Sequence, residues 1–177
     1  MSIGIPGLRG TDHIGLTVPD IDQAISFFCH VIGGELIYQT GTFEDSLGSF
    51  MVDYLNVHAR ARIKAVAFIR CGDGCNYELF EYWSPDQQLT APKNSDVGGH
   101  HLGFYVDDIN EGVAHLHKHN VRVLGEPVQE TEGPGAGESW VYFLSPWGLQ
   151  MELISYPDGK AYQRSVGRVL WQPDRLS

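Results

Sequence analysis

His13, Glu78, His101 and Glu152 are the residues of this 177-residue chain whose types and places suggest chemistry. His13 lies in TDHIGLTVPDID and His101 in GHHLGFYVDDIN. Laid together at an offset of 88, Gly15 falls on Gly103, Val18 on Val106, Asp20 on Asp108 and Ile21 on Ile109. Glu78 and Glu152 follow their histidines at distances of 65 and 51 residues, in ELFEY and ELISY. Two imidazoles and two carboxylates make a nitrogen and oxygen donor set suited to a divalent first-row transition ion, with room left for water or substrate. A lone His or Glu in a strand is more often an ordinary polar residue. The repetition of both at matching positions is what raises these four to candidate metal ligands.

The elements that must position them follow from periodicity. In HIGLTV, Ile14, Leu16 and Val18 alternate with His13, Gly15 and Thr17; in HLGFYV, Leu102, Phe104 and Val106 alternate with His101, Gly103 and Tyr105. Both read as half-buried strands with the histidine on the face turned away from the helix. Each is followed by an Asp able to cap a helix and by an apolar stripe of helical period, over 20–32 and 108–119, stopped at Gly33–Gly34 and at Asn120. Three extended segments come next in each half: GELIYQ, RIKAVAFIRC and NYELFEYW, then VRVLGEPV, SWVYFLS and LQMELISY. The expected fold is α+β, with two tandem β-α-β-β-β units forming a curved mixed eight-stranded sheet cup, helices outside. The first unit spans 1–83 with an insertion at about 41–60, a linker spans 84–99, the second unit spans 100–157, and 158–177 is a C-terminal tail.

Composition narrows the function classes. With 42% hydrophobic residues the chain can bury a sizeable core. No window approaches the roughly 18 apolar residues of a membrane span, which leaves cytoplasmic location as the expectation. A net charge of −10 disfavours a general nucleic-acid or anionic-membrane surface. Cys29, Cys71 and Cys75 are an odd set and argue against a disulfide framework, and CGDGC reads as a hairpin turn rather than a metal loop.

DHIGLTVPDID, HHLGFYVDDIN and SPWGLQMELI together resemble the strand-helix and closing-strand signatures of the vicinal oxygen chelate superfamily, which includes glyoxalase I, methylmalonyl-CoA epimerase, extradiol dioxygenases and bleomycin-type resistance proteins. The resemblance covers residues 11–157. It implies that His13, Glu78, His101 and Glu152 hold the metal, one of Zn, Ni, Co, Mn or Fe, and that the protein is a homodimer. It further implies lyase or epimerase chemistry on a small vicinal-oxygen substrate through a metal-stabilised enolate, with Glu152 or Glu78 as the proton-abstracting base. A ring-cleaving dioxygenase and a non-catalytic drug-binding protein of the same fold are the alternatives. The second catalytic Glu of methylmalonyl-CoA epimerases has no clear match, and Glu44 is a speculative substitute.

Other polar residues have two readings. Arg60, Arg62 and Lys64 alternate along one strand face and suit either an anionic substrate group or a solvated edge. His115 and His119 are four apart on the second helix, on its solvent side, and read as an exposed polar face. Alternation turns His100 away from His101, and His30 and His58 have no evident partner. The insertion reads as a surface loop or a lid. Val169, Leu170 and Trp171 in the tail suit either a dimer contact or a cover over the cup.

Overall fold

The computed structural model describes residues 4–173; residues 1–3 and 174–177, at the ends of the expected first unit and tail, lie outside the described residues. The chain divides into two compact units, Met1–Gln87 and Gln88–Ser177. In the first, β1 (His13–Val18) leads into α1 (Ile21–Phe27), then β2 (Glu35–Thr40), the short α2 (Phe50–Asp53), β3 (Arg62–Arg70) and β4 (Asn76–Trp83). In the second, β5 (Leu102–Tyr105) leads into α3 (Ile109–Lys118), β6 (Arg122–Gln129), β7 (Ser139–Leu144) and β8 (Gln150–Ser155). Each unit forms a four-stranded mixed sheet, in the orders β1-β4-β3-β2 and β5-β8-β7-β6. The first and last strands pair in parallel, the others antiparallel.

The caps act where expected. The Asp20 carboxylate accepts from Gln23 N at 2.8 Å, and that of Asp108 from Asn110 N and Glu111 N at 2.8 and 3.1 Å. The first helix passes into a π-helical turn over Phe28–Ile32, whose wider turn lets the consecutive Phe27 and Phe28 both be buried. Gly33 then stops it at φ 89°, and Asn120 sits at φ 57° beyond α3. Alternation holds on both inner strands. Leu16 and Val18 of β1, Ile63, Ala65, Ala67 and Ile69 of β3, and Tyr77 and Leu79 of β4 are buried beside Ile21, Ala24 and Phe28 of the helical segment. In the second unit the buried row is Leu102, Val141, Phe143, Met151 and Leu153, with Ile109 and Leu116 of α3.

One charged residue breaks the apolar row. Glu81 is buried in line with Tyr77 and Leu79, accepts from Ile21 N at 3.0 Å and pairs with Lys64, at a register irregularity of β3. The carboxylate thereby satisfies an orphan donor at the start of α1. Its counterpart in the second unit is Ser155, which donates instead to Asp107 O at 3.0 Å. The 41–60 segment carries structure of its own: Phe43 bridges to Ile63, Phe50 stacks on Tyr54, and Met51 is buried. The three cysteines are free thiols, and Cys71–Cys75 turns with Gly72 at φ 54°. Among the described residues no helix is long and apolar enough to cross a membrane.

Glu81→Ala removes the acceptor for Ile21 N–H and the partner of Lys64, and is expected to lower unfolding stability by about 2 kcal/mol. Glu81→Gln, which keeps an acceptor, loses about half as much in urea denaturation. Equal losses from the two would show that the helix start does not depend on this oxygen.

Candidate metal centre

In the first unit the ladder sets Gly15 opposite Glu78 and His13 opposite Asn76, so the His13 and Glu78 side chains leave the same sheet face from adjacent strands. His13 Nε2 stands 3.2 Å from Glu78 Oε2. Its other ring nitrogen, Nδ1, is 2.8 Å from Asp12 Oδ2, and the ring lies edge-on to Phe68. The second unit builds the same figure. Gly103 is opposite Glu152, His101 Nε2 is 3.3 Å from Glu152 Oε2, and the His101 ring lies edge-on to Tyr142. Its Nδ1 faces Asn94 Oδ1 at 3.1 Å. The glycines border the carboxylates: a Cβ on Gly103 would lie 3.5 Å from Glu152 Oε2, and one on Gly15 4.0 Å from Glu78 Oε2, both ordinary contacts.

These pairs have the dimensions of metal ligands. With an ion bound, an oxygen acceptor on Nδ1 would hold the ring proton there and leave the Nε2 lone pair for the ion, an arrangement typical of ligating histidines. With metal–donor bonds of about 2.1 Å, two ligands lie about 3.0 Å apart at a right angle and about 3.4 Å apart at a tetrahedral one. The observed separations fall between these. Among the described residues no group of three or more His, Cys, Asp or Glu is arranged to hold a metal ion. Each unit supplies one His and one Glu.

Electrostatics differ between the halves. The hydrogen bond with Asp12 raises the pKa of His13 above its ordinary 6.5, helped by the charges of Glu78 and Asp12 and opposed by desolvation. Burial raises Glu152, partly offset by His101; Glu138 pushes it further up and Lys160 pulls it down. The phenols of Tyr82 and Tyr142 are raised chiefly by burial, then by Glu78 and Glu152.

The other candidates separate from these pairs. Glu44 is in an ion pair with Arg62 at 2.7 Å, and Arg62 also lies over the Trp83 ring. Lys64 is taken by Glu81, and Arg60 precedes β3. Arg62 and Lys64 thus have partners of their own. His115 and His119 stack at 4.3 Å on the exposed side of α3, His100 Nδ1 contacts Gly98 O, His30 Nδ1 contacts Ser26 O, and His58 Nδ1 accepts from Arg60 N. Sequence reading missed Asp12, Asn94, Phe68 and Tyr142. Phe68 and Tyr142 stand at the same offset of 74 that relates Glu78 to Glu152, so that signal was available. Asn94 sits in the expected linker, seven residues before His101, and carried no signal.

A profile of the Glyoxalase/Bleomycin resistance protein/Dioxygenase superfamily matches residues 12–143. The chain belongs to that superfamily. Within the superfamily it is 45% identical to a 2-epi-5-epi-valiolone epimerase of Actinomyces sp, over 97% of this chain and 92% of that one. It is 26% identical to the human mitochondrial methylmalonyl-CoA epimerase over 76% of this chain and 65% of that one. In fold it resembles a glyoxalase family protein of Bacillus cereus, with a TM-score of 0.65 at 24% identity, over 86% of this chain and 98% of that one. The superfamily fold, two units of β-α-β-β-β, is thus present throughout.

Because a proton on His13 Nε2 competes with a metal ion, metal affinity is expected to fall as the pH drops through the raised His13 pKa. In chelator-treated protein the His13 ring should titrate above 6.5 by proton NMR, and Asp12→Asn should bring its midpoint down. An unmoved midpoint in that variant would remove Asp12 as the orienting partner.

Proposed function

We propose that this protein is a divalent-metal-dependent epimerase acting on a small substrate with adjacent oxygens, the metal being held by His13, Glu78, His101 and Glu152. The observation that carries the reading is the repeated convergence of a histidine Nε2 on a glutamate Oε2, at 3.2 Å in one unit and 3.3 Å in the other. Its direction toward epimerisation is supported by the 45% identity to a 2-epi-5-epi-valiolone epimerase over nearly the whole chain. A metal so held supplies positive charge that lowers the cost of negative charge gathering on a substrate oxygen.

The side chains supply the rest. Inverting a carbon beside a carbonyl requires a proton to leave one face and another to arrive at the opposite face, and two carboxylates provide both tasks. Glu152, on β8 of the second unit, is the candidate to return a proton. Glu78, on the other unit, is the candidate to remove one. Asp12 and Asn94 hold the two imidazoles at Nδ1, so the donor set keeps its aim while the carboxylates move protons. The aromatic rings of Phe68 and Tyr142 limit how either histidine turns. A homodimer in the cytoplasm completes the reading.

Two measurements test it. Chelator-treated protein titrated with Zn, Ni, Co, Mn or Fe should take up about one ion per His13, Glu78, His101 and Glu152 set, and His13→Ala or His101→Ala should weaken uptake at least a hundredfold through loss of a ligand. Full occupancy in the double variant would overturn the ligand assignment. With 2-epi-5-epi-valiolone as probe in deuterium oxide, the loaded protein should place deuterium on the inverted carbon, and Glu152→Gln should lower kcat by about 100-fold or more while leaving KM within a few-fold. Oxygen consumption in step with product would replace the epimerase by a ring-cleaving dioxygenase. Binding without turnover would leave a drug-binding protein.

A further inference from the structure

The offset of 88 that relates the two units puts His100 in the place of Asp12. Asp12 supplies the oxygen on Nδ1 of His13, at 2.8 Å, and reaches it as a chain neighbour. His100 does not do this for His101, because its own Nδ1 faces Gly98 O at 3.0 Å. The partner comes instead from Asn94, seven residues before His101, whose Oδ1 lies 3.1 Å from His101 Nδ1. A hydrogen bond with Asn94 also bears on the Tyr142 phenol, and Tyr142 is the ring that the imidazole meets edge-on.

Asn94 is exposed, where water competes for both partners and a hydrogen bond holds only if the backbone presents it already in place. The backbone around it is closed tightly. Lys93 N donates to Asp96 Oδ2 at 2.9 Å, Asp96 N to Lys93 O at 2.9 Å and Gly99 N to Asp96 O at 2.7 Å, so one turn over 93–96 runs directly into another over 96–99. Gly98, at φ 90°, takes the third position of the second turn. The chain then comes back on itself. A Cβ on Gly99 would lie 2.1 Å from Lys93 O, 2.8 Å from Asp96 O and 3.1 Å from the Asn94 carbonyl carbon, all backbone atoms that no change of rotamer can move aside. The φ of Gly99 lies outside the left-handed region, so glycine is required there for space and not for its dihedral angle.

We propose that residues 93–99 form a clamp on the second-unit half of the candidate metal centre, in which Asn94 is the positioning residue of His101 and Gly99 is the residue that lets the clamp close. With an ion bound, Asn94 Oδ1 would hold the ring proton on Nδ1, so that Nε2 stays aimed at the ion. The clamp rests on the proposed ligation by His101. It makes metal affinity depend on a glycine that has no side chain to offer an ion or a substrate, and it gives the stretch between the units a task beyond joining them.

The probe is zinc, titrated into chelator-treated protein in competition with a chromophoric chelator. Asn94→Ala should weaken zinc binding about tenfold to a hundredfold, the range for losing the partner of a ligating imidazole, and Asn94→Asp, which keeps an oxygen acceptor, should recover most of that loss. Thr90→Asp, at an exposed position outside the turns, adds the same charge to the Asn94→Ala protein and should recover none of it. Gly99→Ala should weaken zinc about as much as Asn94→Ala, and the double variant no more than either, because both act through one bond. In the zinc-loaded wild type, proton NMR should show a slowly exchanging Nδ1–H for each of His13 and His101, and Asn94→Ala should lose that of His101 alone. Thermal melts of the zinc-free variants check the fold, and the Asn94 variants carry the test by themselves should Gly99→Ala fail to fold. Unchanged zinc affinity in Asn94→Ala, no recovery in Asn94→Asp, or additive losses in the double variant would overturn the clamp. If His101→Ala leaves zinc binding unchanged, the ligand assignment fails and the clamp falls with it; if His101→Ala weakens binding and Asn94→Ala does not, the clamp alone fails.

Discussion

In each unit the first strand lies parallel to the last, and everything at the candidate site depends on that pairing. Parallel neighbours need a long connection, here a helix and two further strands, and the connection is what allows residues 65 positions apart in one unit and 51 in the other to share a sheet face. The ladder then fixes the details. A glycine stands directly opposite each glutamate, and the histidine two positions earlier leans toward the same carboxylate. A Cβ at Gly103 would lie in van der Waals contact with Glu152, 3.5 Å from Oε2, so this position borders the carboxylate directly. Burial of Leu16, Val18, Tyr77 and Leu79 against the helix sets which face remains for chemistry, since a shift of register by one residue would turn the histidine into the core.

The two units keep this frame and diverge around it. Asp12 places a charge on one imidazole where Asn94 places a neutral oxygen on the other. Phe68 gives the first histidine an apolar wall, and Tyr142 gives the second one a polar edge. Where the first unit has Lys64 the second has Glu138, and where the first buries Glu81 the second buries Ser155. The charges around Lys64 are consumed in anchoring a helix start, while Glu138 pairs with Lys160 of the segment past β8.

The 41–60 segment illustrates a structural use of apolar residues. Met51 is fully buried, Phe43 is tied to Ile63 on both sides of a bridge, and Asp45 accepts from Gly48 N and Phe50 N, which lowers its pKa. Packing of this kind makes the segment a continuation of β2 along β3 in the first unit.

The sequence alone determined the duplicated strand-helix pattern, the caps at Asp20 and Asp108, the stops at Gly33 and Asn120, and the four side chains of the candidate donor set. All of these are local or periodic properties, and a repeat states each of them twice. Only the tertiary structure decided which remaining polar residues belong beside those four. Asp12 was legible as a neighbour of His13 but not as the group on its Nδ1, because a ring's orientation depends on the Phe68 wall and the Glu78 carboxylate brought from other strands. Glu44 read as a speculative substitute for a catalytic glutamate, and Arg62 and Lys64 as residues for an anionic substrate group or a solvated edge, until folding paired Arg62 with Glu44 and Lys64 with Glu81. Lys160 looked like a tail residue until the chain past β8 turned back onto the β6–β7 loop and set its ammonium against Glu138. Charges find partners through space at a few ångströms, and sequence distance carries no record of that approach.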